Sequence, residues 1–157
     1  MDKLSIQKQA IIKQLRILFR AVQAHSRTVE KTCGLSSAQL WMLYEVSLAN
    51  GIKVSELANI LSIHRSTCSN MLDKLEKKNL ISRDRSKSDQ RSVHIYITDQ
   101  GKELLSLAPS PQQGQLSNTL SKLTGEQLTN LETSLQVFIE ALHFEDVKAG
   151  MTPIPES

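Results

Sequence analysis

The chain contains few aromatic residues and few cysteines. Phe, Trp and Tyr make up 4% of its 157 residues, with a single Trp, and there are two cysteines. Proteins that hold single-stranded nucleic acid stack the bases on aromatic side chains along a basic groove, so this composition argues against that class. Cys33 and Cys68 are too few for a disulfide scaffold and lack CxxC spacing. We therefore predict a reducing, cytoplasmic environment.

Long apolar runs are also missing from the sequence. No stretch approaches the roughly 18 apolar residues of a membrane-spanning helix. The first residues, MDKLSIQKQAII, lack the separate apolar core and small-residue cleavage site of a secretion signal. With 39% hydrophobic and 22% charged residues, the composition predicts one globular domain with a modest core and no association with membranes.

The positive charge of the chain is concentrated in one segment. Lys53 to Thr98 contain nine of the 19 Lys and Arg residues and five of the 16 Asp and Glu residues, a net charge of about +4. The remaining ten basic and 11 acidic residues nearly cancel. A basic segment attracts phosphate through counterion release. An ordinary solvated surface can carry the same charge. The order of the predicted elements has to decide between a phosphate-binding surface and an ordinary one.

The basic segment begins with the pattern of two helices joined by a sharp turn. Ser55 is the predicted N-cap of the first helix, and Glu56 lies at the positive end of its dipole. The second helix is predicted from about His64 to Lys78, with apolar residues at i, i+3, i+4 and i+7. The predicted inner faces are Leu57, Ala58, Ile60 and Leu61 in the first helix, and Cys68, Met71, Leu72 and Leu75 in the second.

Two strands follow the second helix. They are predicted at Ile81–Arg85 and Ser92–Ile97, with apolar and polar residues alternating in the second strand and a polar, basic loop between them. Asp89 stands two residues before Arg91 at the hairpin tip, where it can hold the guanidinium in an extended pose. A helix-turn-helix followed by a β-hairpin wing is typical of proteins that place the second helix in the major groove of duplex DNA.

Amphipathic helices precede this segment. One is predicted from about Leu4 to Lys31, and Gly34 is its predicted stop. Its apolar stripe is broad enough that part of it is predicted to face a second protomer. Ser36 and Gln39 form a capping box for the next helix, which is predicted to run through Ala49 with Leu40, Leu43, Tyr44 and Leu48 on its apolar face. Trp41 is predicted to pack in the core, and the wall of a small-molecule pocket is its alternative role.

Further helices are predicted after the strands. Thr98 caps a helix to about Ala108, Pro109–Gly114 interrupts it, and helix resumes over about 115–123. Thr124 and Gln127 form a second capping box before a final amphipathic helix, whose apolar face is predicted to make a symmetric dimer. The predicted fold is mainly α with a small β-hairpin. Its units are an N-terminal dimerisation helix (1–34), a winged helix-turn-helix domain (35–98), C-terminal dimerisation helices (99–145) and a disordered tail (146–157).

Taken together, these residues resemble the MarR family of winged-helix transcription regulators. The resemblance is strongest from LSSAQLWMLYEV at 35–46 to DQGKELL at 99–105. Its most specific parts are Arg65-Ser66-Thr67, LDKLE at 72–76, LISR at 80–83, Asp89-Gln90-Arg91 and Thr98 to Gly101. The resemblance implies a homodimer that binds a palindromic operator. It also implies repression of transcription, with release of the DNA when a small aromatic effector binds.

The resemblance also implies which residues contact DNA. Those assigned to the major groove are His64, Arg65, Ser66, Thr67, Ser69 and Asn70. Lys74, Arg83, Arg85 and Lys87 are assigned to phosphates, and Arg91 to the minor groove with Asp89 holding it. His64 departs from the family pattern because Ser, Thr or Asp is usual at a helix N-cap. Cys33 lies at the far end of the first helix, so the peroxide-sensing cysteine of one family branch is not matched.

Other classes of function are less favoured by the sequence. His64 and Cys68 are four residues apart, but no second pair completes a zinc site, and the chain has no Gly-rich phosphate loop. We expect no catalytic residues, no metal and no cofactor. Two alternatives stay open. One is a regulator that responds to thiol oxidation at Cys33 or Cys68, and the other is a winged-helix protein-interaction module, which would not need Arg91.

Overall fold

The computed structural model describes residues 1–85 and 92–154, apart from the side chain of Arg85. Within these residues the chain is mainly helical with one small antiparallel sheet, which confirms the predicted fold class. The elements, in chain order, are α1 (Lys3–Cys33), α2 (Ser37–Leu48), β1 (Ile52–Lys53), α3 (Val54–Leu61), α4 (Arg65–Lys77), β2 (Ile81–Arg85), β3 (Val93–Ile97), α5 (Asp99–Leu107), α6 (Gln115–Leu120), α7 (Gly125–Leu142) and a 3-10 turn (Ala149–Met151).

Three of the helix ends follow the local capping signals that the sequence predicts. Gly34 ends α1 in the left-handed conformation (φ +66°), and its amide donates to the Glu30 carbonyl at 2.9 Å. The capping box before α2 is complete, because the Ser36 hydroxyl accepts from the Gln39 amide at 3.1 Å and the Gln39 side chain accepts from the Ser36 amide at 2.9 Å. The box at Thr124 and Gln127 is complete as well. These predictions are confirmed.

The sheet has three strands rather than the two of the predicted hairpin. Its order is β1-β3-β2, with Ile52 opposite Ile95 in one ladder and Ile81 opposite Ile97 in the other. The extra strand explains why the prediction of Ser55 as the N-cap of α3 is wrong. Pairing with β3 keeps the backbone extended through Lys53, so α3 begins directly at Val54 without a side-chain cap.

The core lies between α2, the helix-turn-helix and the sheet. The buried face predicted for α4 is confirmed, with Cys68, Leu72 and Leu75 fully buried. On α3 the prediction for Ile60 is wrong, because its side chain is 43% exposed. It lies roughly 100° around the helix from the mean direction of the three buried residues Leu57, Ala58 and Leu61. Leu48, at the end of α2, is also exposed rather than part of the apolar face.

The C-terminal third is less regular than the rest of the chain. The interruption after α5 is confirmed, and α6 ends at Leu120, earlier than predicted. Residues from 146 were predicted to form a disordered tail. In the described part of this segment, Ala149–Met151 form a 3-10 turn, and the Met151 carbonyl accepts a hydrogen bond from the His64 amide at 3.3 Å. The predicted tail as a whole stays a prediction. None of the helices in the described ranges 1–85 and 92–154 is long and apolar enough to span a membrane.

Candidate nucleic-acid interface

The outward face of α4 is the candidate interface. Because Cys68, Met71, Leu72 and Leu75 turn into the core, the opposite side of the helix points to solvent. It brings together residues that the sequence predicted there. Exposed residues on or beside this face are His64, Arg65, Ser66, Asn70 and Lys74, and half-buried ones are Thr67 and Ser69. The structure therefore places all seven on or at the edge of one accessible surface.

The turn between α3 and α4 fixes the direction of this face. Ser62 adopts the left-handed conformation (φ +54°), and the Ile63 amide donates to the Ala58 carbonyl at 3.0 Å. Ala58 is 2% exposed, and its small side chain allows the two helices to approach closely. The Cys68 thiol, from the buried side of α4, lies 3.8 Å from the Val54 carbonyl at the start of α3. These contacts hold α4 against the core.

The N-terminus of α4 has an unusual cap. His64 has the extended conformation of an N-cap residue, but its side chain makes no capping hydrogen bond, in agreement with its departure from the usual Ser, Thr or Asp. Its carbonyl accepts from the Cys68 amide at 2.9 Å, and its amide donates to the Met151 carbonyl. Sequence reasoning missed the contact with Met151, because a backbone carbonyl in the tail leaves no signal in residue type.

Arg83 on β2 is bound by α4. Its Nη2 atom donates to an Asp73 carboxylate oxygen and to the Ser69 carbonyl at 3.3 Å, and its Nε atom lies 3.8 Å from a Glu76 carboxylate oxygen. The side chain is 21% exposed. A phosphate at this position would have to compete with the ion pair to Asp73. In this structure Arg83 holds the first wing strand against α4, and its predicted phosphate contact stays a prediction.

The remaining predicted contacts fall between β2 and β3. Residues 86–91, which include Lys87, Asp89 and Arg91, and the side chain of Arg85 lie outside the described residues. Their predicted roles stay predictions. The strands that carry the loop are paired in register up to Arg85 opposite Val93. Both strands belong to the same sheet, and Arg83 ties that sheet to α4.

The two thiols are poorly suited to redox sensing. Cys68 is fully buried, and loss of hydration raises the pKa of its thiol to about 11, although nearby Arg83 lowers it slightly. Partial burial also raises the pKa of Cys33 above its usual value. Since the thiolate is the form that reacts with peroxide, both thiols are less reactive than an exposed cysteine near neutral pH. Within the described part of the chain, no three His, Cys, Asp or Glu residues are grouped to hold a metal.

A cavity of about 270 Å³ lies between the end of α1 and α5. Its apolar wall is formed by Leu80, Leu104 and Leu107, and its other lining residues are Thr32, Cys33, Gln100 and Glu103. Trp41 is not among them. It packs against the core as predicted, and its indole N–H donates to Glu45 Oε1 at 3.0 Å.

Comparison with known proteins finds a family model and relatives that are all transcription regulators. The MarR family model matches residues 35–93. The chain is similar to the HTH-type transcriptional repressor MdtR of Bacillus subtilis, with 30% identity over 114 residues that cover 73% of this chain and 74% of that protein. It is also similar to the organic hydroperoxide resistance transcriptional regulator of the same species, with 35% identity over 92 residues that cover 59% and 61% of the two chains.

Solved structures share the fold over most of the chain. The YusO protein of Bacillus subtilis is 27% identical, with a TM-score of 0.56, over 89% of this chain and 99% of that one. Sco3205 of Streptomyces coelicolor, solved in complex with DNA, is 22% identical, with a TM-score of 0.61, over 89% and 90% of the two chains. The matches therefore include the helices on both sides of the winged helix.

Proposed function

The chain belongs to the MarR family of winged-helix transcription regulators, and on that premise we propose that it is a dimeric, sequence-specific repressor that binds duplex DNA. The observation that carries this proposal is the accessible face of α4, on which short polar side chains and an arginine surround the N-terminal turns of a helix held against the core. The similar protein MdtR is named a repressor, which supports the proposed direction of regulation.

The chemistry of this face suits base edges and phosphates. Arg65 can make a paired hydrogen bond to a guanine, and Asn70 can make one to an adenine, in the major groove. Ser66 and Ser69 are short enough to let the helix approach the bases closely. Lys74, further along the same side, can contact phosphate, and such a contact positions the helix without reading the base sequence. The hairpin residue Arg91 is proposed to reach the adjacent minor groove.

The apolar faces of α1 and α7 support a dimer. All residues of α7 are exposed in the single protomer, including Leu128, Leu131, Leu135 and Phe138, which share one side of the helix. The N-terminal two thirds of α1 likewise expose Ile11, Ile12, Leu18 and Phe19, and the buried residues of α1 are His25 and Val29. Contiguous apolar surface of this kind marks an interface. A symmetric dimer would present two α4 helices to two half-sites about 34 Å apart.

We expect Arg65→Ala to weaken binding to the selected operator by about 1–3 kcal/mol, because a base contact is lost. Lys74→Ala should weaken binding to all duplexes alike and reduce the slope of log affinity against log salt by about one. Operators would be selected from a random duplex pool, and affinities measured by fluorescence anisotropy over a salt series. Lys122→Ala, an exposed lysine outside the winged helix, is the control and should leave binding unchanged.

Two outcomes would count against this proposal. Unchanged affinity in Arg65→Ala would remove that residue from the interface. Absence of duplex binding by the unmodified protein even at low salt would favour the protein-interaction module that the sequence left open.

We further propose that the cavity beside α5 receives the effector. A cavity of about 270 Å³ is slightly smaller than the roughly 300 Å³ at which drug-sized ligand sites begin, so it suits a single aromatic ring. Its leucine wall matches the faces of the ring, and the Glu103 carboxylate favours a cationic substituent over an anionic one. The cavity touches both α1 and α5, so a bound molecule could change the position of the winged helix relative to the dimerisation helices.

The effector site is tested with benzamidine and benzoate, which are similar in shape and opposite in charge. We expect benzamidine to release a bound duplex at a lower concentration than benzoate does. Leu104→Trp, which fills the cavity, should abolish this release, whereas Leu48→Trp at an exposed position should not. Release that persists in Leu104→Trp would place the effector elsewhere, and stronger release by benzoate would contradict the role given to Glu103.

A further inference from the structure

We propose that the C-terminal segment, residues 143–154, competes with DNA at the N-terminus of α4. After α7, His143 turns the chain in the left-handed conformation, and the 3-10 turn follows at Ala149–Met151. The Met151 carbonyl then accepts a hydrogen bond from the His64 amide at 3.3 Å. This inference rests on the proposed function, because it assigns a regulatory role to the same face of α4.

The place of contact is the end of α4 that carries Arg65 and Ser66. The first amides of a helix have no acceptors within the helix, and the helix dipole makes this end electropositive. The His64 side chain does not cap α4. A carbonyl oxygen from the tail supplies partial negative charge at this position, where a phosphate would also be attracted. A duplex that binds the first turn of α4 would therefore contact the tail and compete with it.

The charge of the tail supports competition with a polyanion. Residues 143–157 contain three acidic residues, Glu145, Asp146 and Glu156, and one basic residue, Lys148. The basic segment at 53–98, which the Met151 carbonyl contacts at the His64 amide, has a net charge of about +4. Acidic side chains held near a DNA-binding face lower its attraction for phosphate.

Local hydrogen bonds order the tail where it reaches His64. The Lys148 amide donates to Asp146 Oδ1 at 3.0 Å, and the Thr152 hydroxyl donates to the Lys148 carbonyl at 2.9 Å. Pro153, which follows the contact, is half-buried. The turn thus presents the Met151 carbonyl to His64 in a defined direction. Because one backbone hydrogen bond contributes modestly to stability, the segment is a weak competitor that a duplex can displace.

The test compares three chains that differ only at the C-terminus. One ends at Lys148 and lacks the contact, one ends at Ile154 and retains it, and the third is the full chain. We expect the chain that ends at Lys148 to bind the selected operator about two- to tenfold more tightly than the other two, the effect of one such hydrogen bond. In NMR spectra recorded without DNA, the His64 amide resonance of the chain that ends at Lys148 should differ from that of the other two chains, which should agree with each other.

A full-length variant, Glu145→Gln with Asp146→Asn, tests the charge separately and should bind more tightly by a smaller factor. Equal operator affinity in the truncated and full chains, or an unmoved His64 resonance, would overturn the inference and leave the proposed function intact. Absence of duplex binding by every chain would overturn the proposed function itself, and this inference with it.

Discussion

Replacing Leu131 by Glu is expected to convert the proposed dimer into single protomers and to lower operator affinity at least a hundredfold. Leu131 lies on α7 between Leu128 and Leu135, on the apolar side of a helix that is exposed along its whole length in one protomer. A carboxylate buried in such an interface has no partner, and its desolvation costs several kcal/mol. A single protomer binds one half-site and loses the gain in affinity that comes from binding two half-sites at once.

Sedimentation velocity would measure the oligomeric state of this variant, and anisotropy its operator affinity. Thr133→Glu is the matched control, because Thr133 lies on the opposite side of α7. This substitution adds the same charge away from the apolar face. Circular dichroism should show unchanged helix content in both variants. A dimer that survives Leu131→Glu would mean that α7 does not form the interface, and α1 would then have to supply it alone.

The parts of the fold that sequence predicts well are those fixed by neighbours along the chain. Ser36 and Gln39 cap α2 because each reaches the backbone of the other three residues away. Thr98 caps α5 in the same way, with its hydroxyl 3.0 Å from the Gly101 amide. The accessible face of α4 follows from its buried face, since a period of 3.6 residues assigns both at once.

Pairings between distant residues could not be predicted in this way. β1 is only two residues long, and it forms because Ile52 and Lys53 pair with a strand some forty residues later. A run this short has no periodicity to detect. The partners of Arg83 depend on how β2 lies against α4. The charge of this side chain is evident from the sequence, but its ion pair with Asp73 is not.

Gly101→Ala is expected to destabilise the fold by about 2–4 kcal/mol, because the added methyl group has no room. A Cβ at this position would overlap the Leu80 carbonyl oxygen and lie 2.8 Å from Ile97 Cγ1. The Leu80 carbonyl cannot move freely, because it accepts from the Thr98 amide at 3.1 Å. The first turn of α5 would have to shift away from the sheet, and its cap at Thr98 would be strained.

Urea denaturation at a fixed protein concentration would measure this loss, since unfolding of a dimer depends on concentration. Gly125→Ala is the control, because a Cβ there meets nothing within 4 Å at the first residue of α7. Alanine favours helix over glycine by up to about 1 kcal/mol, so this variant should be as stable as the unmodified protein or slightly more so. Equal stability in the two variants would mean that α5 can move off the Leu80 carbonyl without cost. The cavity beside α5 would then lack the fixed wall on which its proposed selectivity for an effector depends.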